Sequence, residues 1–203
     1  MKIKFLLVSL LLFSFSAHSQ KMPDYVITNK GDTLKCKVST PFLGTSEYTL
    51  PDSSINVLED TTQVKEYYTA KKKLLKRAVP VSKNKRQYLE VIENGAINLY
   101  QSVSMQTTVS PAFTHVYTVT VWYISKGSDK IFELKSTSIT NTTRKIRKEL
   151  LADFLKDNTA AYNMFIAQKQ FTFESISDVV HFYNTGYYLI CKSDLQNLMM
   201  YIS

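Results

Sequence analysis

The amino-acid sequence predicts an α+β fold in which antiparallel hairpins and meanders fill the N-terminal two-thirds and two to three helices follow. Turn sequences such as Asn94-Gly95 separate short runs of alternating residues, and helical spacing of apolar residues begins after Ser138. The chain is also rich in aromatic residues that favour strands, with 13 Tyr and 11 Phe. Strands that come first and helices that come last are typical of helices packed on an antiparallel sheet.

Three hairpins are predicted from turn residues between strand-like runs. In the first, Tyr25–Thr28 leads through a turn at 29–32 into a return strand over 33–38. Alternation along that return strand places Leu34, Cys36 and Val38 on the inner face. The second and third hairpins join 88–93 to 96–103 and 116–124 to 130–134, and weaker strands are expected at 55–58, 64–68 and 74–79.

Three helices are predicted near the end of the chain. The first has one apolar stripe, made of Ile146, Leu150, Leu151, Phe154 and Leu155. A short second helix covers 160–167. The third begins at the N-cap residue Thr172 and ends at Gly186, and its inner face carries Ile176, Val179, Val180 and Tyr183. The tail over 187–203 is compatible with either a strand or a helix that begins at Asp194.

The first residues have the pattern of a secretory signal peptide. Lys2 and Lys4 precede an apolar stretch over 5–15, and Ala17-His18-Ser19 supplies small residues at the positions that a signal peptidase reads. An eleven-residue apolar stretch is too short for a membrane anchor, and no later stretch could span a bilayer as a helix. We therefore expect a signal peptide over 1–19, a single α+β domain over 20–203, and export to the periplasm or the exterior.

Positive charge is concentrated in two places. After removal of the leader, 23 basic side chains face 17 acidic ones, and a run without any acid contains Lys71, Lys72, Lys73, Lys76, Arg77, Lys83, Lys85 and Arg86. A second cluster lies at the start of the first predicted helix, where the helix dipole disfavours cations; it contains Arg144, Lys145, Arg147 and Lys148. These twelve residues are the candidate anion-binding residues.

The expected partners of such residues are anionic lipid headgroups, lipopolysaccharide or acidic glycans. Nucleic acid is not expected, because exported proteins rarely meet it. A structural explanation stays open for the first run, since lysines also protect solvated sheet edges from aggregation. The second cluster is also explained if its helix begins later in the chain or if its cations pair with acids from elsewhere.

The two cysteines, Cys36 and Cys191, form a candidate disulfide, because export delivers them to an oxidising compartment. The alternative is two separate buried thiols that pack as small apolar side chains. The sequence distance between them does not decide between these possibilities.

No motif for catalysis or for a cofactor stands out. After the leader, the only histidines are His115 and His181, and neither has a second His or Cys at metal-ligand spacing. No G-x-S-x-G sequence occurs, and the five glycines are too far apart to form a phosphate-binding loop. The sequence therefore predicts a non-catalytic envelope protein without cofactors. The alternatives are a secreted hydrolase of an envelope or environmental polymer, and a protein-assembly partner.

Three segments support a resemblance to other proteins. The stretch Gly31-Asp32-Thr33-Leu34-Lys35-Cys36-Lys37-Val38 resembles the opening motif of a loosely defined group of uncharacterised exported proteins from Gram-negative bacteria. The hairpin over 88–100 is similar to that group's central hairpin, and the segment Val179–Asn184 is similar to its closing helix, which carries a Tyr-Asn pair. Cys36 departs from the small Gly of the motif. The resemblance implies export and an α+β domain, and it implies no activity.

Overall fold

The computed structural model describes residues 22–187, except 42–45, 53, 59, 84, 111–112, 129 and 139–142. The predictions for the leader over 1–19, for Cys191 and for the tail after Tyr187 lie outside the described residues.

The described residues form eleven strands and three helices. The strands are β1 (Tyr25–Thr28), β2 (Thr33–Lys35), β3 (Lys37–Ser39), β4 (Glu47–Thr49), β5 (Ile55–Val57), β6 (Val64–Thr69), β7 (Leu74–Ser82), β8 (Lys85–Glu93), β9 (Ile97–Val109), β10 (Thr114–Lys126) and β11 (Phe132–Ser136). The helices are α1 (Arg144–Leu155), α2 (Thr159–Ala167) and α3 (Phe173–Thr185).

The strands form two antiparallel sheets. The larger sheet has eight strands in the order β11-β10-β9-β8-β7-β6-β1-β2, and the smaller has the order β3-β4-β5. From β6 to β11, each strand pairs with the next one in the chain, as in a meander. The predicted α+β fold, with hairpins first and helices last, is confirmed.

The main core lies between the helices and the β9–β11 end of the large sheet. Leu99, Trp122 and Ile124 on the strands pack against buried side chains of all three helices, among them Leu155, Phe165 and Val179 in one cluster. Trp122 also meets Phe173 edge to face, with 4.8 Å between the ring centroids. These contacts fix α1 and α3 over the same end of the sheet.

A second cluster joins the two sheets. It contains the buried side chains Val26, Tyr48 and Leu58, with Leu34, Cys36 and Val38 packed against them. Their inward orientation was predicted, but the single return strand over 33–38 was not correct. The chain leaves the large sheet after Lys35, at the end of β2, and β3 joins the small sheet instead.

The third helix is held at both ends as its sequence predicts. The Thr172 hydroxyl accepts a hydrogen bond from the Ser175 N–H, the Ser175 hydroxyl accepts one from the Thr172 N–H, and Gly186 ends the helix with φ +76°. Near its C-terminus, the Asn184 carboxamide bonds both backbone groups of Ile97.

The first helix is rotated relative to the predicted stripe. Ile146 was expected in the core, but it is 54% exposed, and Arg147 is buried in its stead together with Leu151 and Leu155. The reason is an ion pair between Arg147 and Glu133 on β11, which turns this side of the helix towards the sheet. The helix begins at Arg144, so the suggestion of a later start is wrong.

The strands β9 and β10 are longer than the predicted strands over 96–103 and 116–124, and they pair with each other in a hairpin that was not predicted. Its strands stay in register from Ile97 opposite Lys126 to Val109 opposite Thr114. Beyond Ser102 on β9 and before Val119 on β10 all described side chains are exposed. We call this outer part, Val103–Val109 with 113–118, the arm.

Candidate anion-binding site

A cleft of about 360 Å³ lies where β11 meets the starts of α1 and α3. Three cationic side chains line it: Lys135 from β11, and Arg144 and Arg147 from the first turn of α1. The segment that leads into α3 completes the wall, with Gln170, Phe171 and Thr172. The structure thus brings together two of the candidate anion-binding residues, Arg144 and Arg147, with a lysine that the sequence analysis did not select.

Lys135 is held in place by the residues before α3. Its Nζ donates a hydrogen bond to the Phe171 carbonyl at 2.7 Å and lies 5.0 Å from the centroid of the Phe173 ring. Burial lowers the pKa of Lys135, and the neighbouring Arg144 and Arg147 lower it further. The two arginines therefore disfavour the charged form of Lys135. An anion bound in the cleft would relieve this repulsion.

The two arginines differ in their surroundings. Arg147 is buried and pairs with Glu133, whereas Arg144 is exposed at the rim. Within the described part of the chain, the Arg144 guanidinium makes no hydrogen bond or ion pair. It is therefore available to a ligand, and its planar group can bind a phosphate or carboxylate through two hydrogen bonds.

The helix starts add to the positive potential of the cleft. The first turn of α1 contains no acidic side chain, and its N-cap residue Thr143 precedes Arg144 directly. Thr172, which lines the cleft, is the N-cap of α3. Helix N-termini carry partial positive charge, so both helices favour an anion near this position.

The other two members of the second basic cluster point away from the cleft. Lys145 lies 3.9 Å from Glu149 on the exposed side of α1, and Lys148 lies over the Phe165 ring at 5.8 Å. Neither lines the cleft. Of the four cations predicted to bind an anion at the start of this helix, two line the cleft and two lie elsewhere on the helix surface.

The longer basic run is spread along β7 instead of forming one patch. Lys71, Lys72 and Lys73 occupy the turn before the strand, and Lys83 and Lys85 flank the turn after it. Because β7 is extended, these two ends are about 30 Å apart. Lys72 donates from Nζ to the Thr40 hydroxyl at 2.9 Å, which keeps it near the small sheet.

The two cations in the middle of the run, Lys76 and Arg77, are partly buried in the protein. Arg77 donates from Nε to Glu66 at 2.6 Å and from Nη1 to Asn94 at 3.1 Å, with 20% and 10% of the Arg77 and Glu66 side chains exposed. Lys76 points to the opposite face, where burial lowers its pKa and Glu90 acts against that shift. Arg77 is thus held by partners within the protein, and neither of these two cations is well placed for a ligand.

A second cleft, of about 410 Å³, lies on the sheet face away from the helices. Its lining includes Lys65, Glu66, Arg77, Arg86 and Tyr100. Arg77 is occupied by its partners within the protein, and the Arg86 Nη2 donates to the Ala78 carbonyl at 2.8 Å. The positive charge of this cleft is therefore largely committed to internal contacts, in contrast to Arg144.

The candidate disulfide is left as a prediction, because Cys191 lies outside the described residues. Cys36 is half-buried in the cluster between the sheets and forms no disulfide with any described residue. Burial, with a further contribution from Asp24, raises the pKa of Cys36 to about 11. In the reduced protein this thiol is therefore protonated at neutral pH and packs as a small apolar side chain.

Among residues 22–187 that the structure describes, the histidines and acids do not form a recognisable hydrolytic centre. The Glu93 carboxylate accepts a hydrogen bond from His181 Nδ1 at 3.1 Å, and His115 stacks on Tyr117 in the exposed arm. Glu174 and Asp178 line a shallow cleft as i,i+4 neighbours on one face of α3. Within the described residues, no group of three or more His, Cys, Asp or Glu could hold a metal ion.

Comparison with known proteins gives no relative. No family model matches the chain, no curated protein matches it, and no solved structure matches it. Among the described residues, no helix has the length and apolar character needed to cross a membrane. The candidate site therefore stands on its own geometry.

Proposed function

We propose that this protein is an exported, non-catalytic envelope protein that binds an anionic component of the envelope in the cleft formed by Lys135, Arg144 and Arg147. The observation that carries the proposal is the convergence of these three cations, one from the sheet and two from the first turn of α1, beside the N-cap of α3. The signal-peptide pattern of the first nineteen residues supports export, and the resemblance of the Gly31–Val38 motif agrees with it.

The chemistry of the cleft favours a phosphate or a carboxylate. An arginine and a lysine provide a planar fork and a compact ammonium, which together suit an oxyanion. Phe171 adds an apolar wall, so a ligand that joins an anionic group to a sugar ring or an acyl chain fits better than a free ion. Anionic lipid, lipopolysaccharide and acidic glycans all meet this description.

The test measures binding of the processed chain to three probes: phosphatidylglycerol vesicles, purified lipopolysaccharide and polygalacturonate. The double variant Lys135→Gln/Arg144→Gln should weaken binding to the recognised probe at least about tenfold, which corresponds to about 1.4 kcal/mol. Lys145→Gln is the matched control, because it removes a cation from the same helix but outside the cleft. Binding to the recognised probe should also fall as salt rises.

Equal binding by the double variant and by Lys145→Gln would remove the cleft from the proposal. A processed chain that binds none of the three probes would reject the proposal as a whole. Export is tested separately by fractionation of a Gram-negative host and mass spectrometry of the product. The expected product begins at Gln20 and lies outside the cytosol. An intact chain confined to the cytosol would contradict the export half of the proposal.

A further inference from the structure

The cleft of about 410 Å³ on the sheet face away from the helices is formed by the curvature of the large sheet. Its lining includes Ile27 on β1 and Ser125 on β10, and these two strands are five places apart in the sheet order. A flat sheet would separate them by about 24 Å, at about 4.8 Å for each step. Because both residues line one small cleft, the sheet curls around this face. Concave surfaces of this kind are where proteins bind small molecules.

Two buried polar side chains line this cleft and carry hydrogen-bonding atoms that the protein does not use. Ser125 is 2% exposed, and within the described residues its hydroxyl makes no hydrogen bond. Glu66 is 7% exposed; its Oε2 accepts a hydrogen bond from Arg77 Nε at 2.6 Å, whereas its Oε1 has no partner in the described part of the chain. Buried polar atoms in folded proteins are nearly always paired. A ligand bound in the cleft would complete the hydrogen bonding of these two side chains.

The charges around the cleft favour a neutral ligand. The Glu66 carboxylate can only accept hydrogen bonds, so it repels an anionic group placed against its Oε1. A cationic ligand is opposed by Lys65, Arg77 and Arg86, which also line the cleft. Two of these cations have partners within the protein, since Arg77 pairs with Glu66 and the Arg86 Nη2 donates to the Ala78 carbonyl at 2.8 Å. A neutral ligand that donates a hydrogen bond to Glu66 meets neither obstacle.

The remaining lining residues suit a ligand with several hydroxyl groups. Asn98 lies opposite Ser125 in the β9–β10 pair, and its carboxamide can both donate and accept, as the Ser125 hydroxyl can. Val79 and Pro80 add apolar surface to the same cleft. Its volume is near the lower end of the range of about 300–1,000 Å³ for small-molecule sites. A sugar ring combines these properties, because hydroxyl groups surround its edge and C–H groups form its faces.

We infer that this cleft binds a neutral sugar. One hydroxyl group of the sugar donates to Glu66 Oε1, and others bond to the Ser125 hydroxyl and the Asn98 carboxamide. The site is separate from the proposed anion-binding cleft, because the two clefts share no lining residue. The inference therefore does not depend on the proposed function, and either one can fail while the other holds.

The test titrates glucose, galactose, mannose and N-acetylglucosamine into the processed chain and follows its backbone amides by NMR. At least one of these sugars should bind with a Kd of about 1 mM or lower and shift the amide signals of Ser125 and Asn98. Ser125→Val replaces the hydroxyl by methyl groups and should weaken binding of that sugar at least about tenfold. Ser102→Val is the matched control, because Ser102 lies on the same sheet face of β9 but outside the cleft. It should bind like the wild type.

A second variant guards against misfolding of Ser125→Val, whose site is buried. Asn98→Ala removes the carboxamide opposite Ser125, and it should also weaken binding of the recognised sugar at least about tenfold. Circular dichroism of each variant checks that it folds.

Three results would overturn the inference. The first is a wild-type chain that binds none of the four sugars at concentrations up to about 100 mM. The second is an equal loss of binding in Ser125→Val and Ser102→Val, since the cleft would then have no special role. The third is tighter binding of glucuronate or glucosamine than of every neutral sugar, because the charges around Glu66 would then not select the ligand. Lys135→Gln/Arg144→Gln should bind the neutral sugar like the wild type, which separates this site from the anion-binding cleft.

Discussion

The side chain of Asn184 satisfies both backbone groups of Ile97. Its Oδ1 accepts a hydrogen bond from the Ile97 N–H at 3.0 Å, and its Nδ2 donates one to the Ile97 carbonyl at 2.8 Å. The two residues are 87 positions apart in the chain. This pair ties the last turn of α3 to the first residue of β9, and it thereby fixes the closing helix on the sheet.

Substitution of Asn184 by Ala should lower the free energy of unfolding by about 2 kcal/mol, because two backbone groups at a half-buried position lose their partners. Urea denaturation followed by circular dichroism measures the change. Asn163→Ala, at an exposed position of α2, is the control and should stay within about 0.5 kcal/mol of the wild type. A loss of equal size in the two variants would contradict the role of the pair.

Gly95 is required next to the same carboxamide. A Cβ atom at this position would lie 2.5 Å from the Asn184 Cγ, and the two hydrogen bonds to Ile97 prevent that side chain from moving away. Gly95→Ala should therefore cost about 2 kcal/mol by urea denaturation. In the Asn184→Ala background the same substitution should cost less than about 0.5 kcal/mol. Additive losses in this double-mutant cycle would show that the two sites act independently.

Charge reversal should separate the structural from the exposed members of the basic run. Arg77→Glu places a second carboxylate opposite Glu66 in a largely buried pair, and we expect a loss of about 3 kcal/mol or more in unfolding free energy. Lys72→Glu, in the exposed turn, should change stability by less than about 0.5 kcal/mol. Thermal unfolding distinguishes the two variants, and similar midpoints would mean that the Arg77–Glu66 pair contributes little.

The thiol of Cys36 should react slowly. Burial and the nearby Asp24 raise its pKa to about 11, so the folded state disfavours the thiolate. The associated stability is complete below the pKa of the unfolded chain and is lost as the pH rises through 11. At pH 8, alkylation by iodoacetamide in a Cys191→Ser variant should be about a hundredfold slower in the folded than in the urea-unfolded chain. Equal rates in both states would contradict the burial of this thiol.

Local sequence signals predicted most of the fold, because hairpins and helix ends depend on neighbouring residues. The Asn94-Gly95 turn, the N-cap Thr172 and the stop at Gly186 all lie where the sequence places them. The break after Lys35 was missed, since the alternation of Leu34, Cys36 and Val38 is the same whether one sheet or two receives them. Arg147 was missed as a buried residue because its burial depends on Glu133 in a distant strand.

The candidate site was predicted only in part. The sequence singled out Arg144 and Arg147 because cations at a helix start are unfavourable on their own. Nothing local marks Lys135 or Gln170, which join those arginines only when β11 and the start of α3 come together. The basic run between Lys71 and Arg86 shows the reverse error, because its density of charge suggested a single binding surface. An extended strand places alternate residues on opposite faces of the sheet and separates the residues at its two ends.

The Asn184–Ile97 pair also bears on the order in which the molecule matures. Residue 184 is synthesised long after β9, so the centre of the sheet lacks the covering of α3 until the chain has grown 87 residues beyond Ile97. A product that is truncated before α3 would expose Leu99, Ile124 and their neighbours to water.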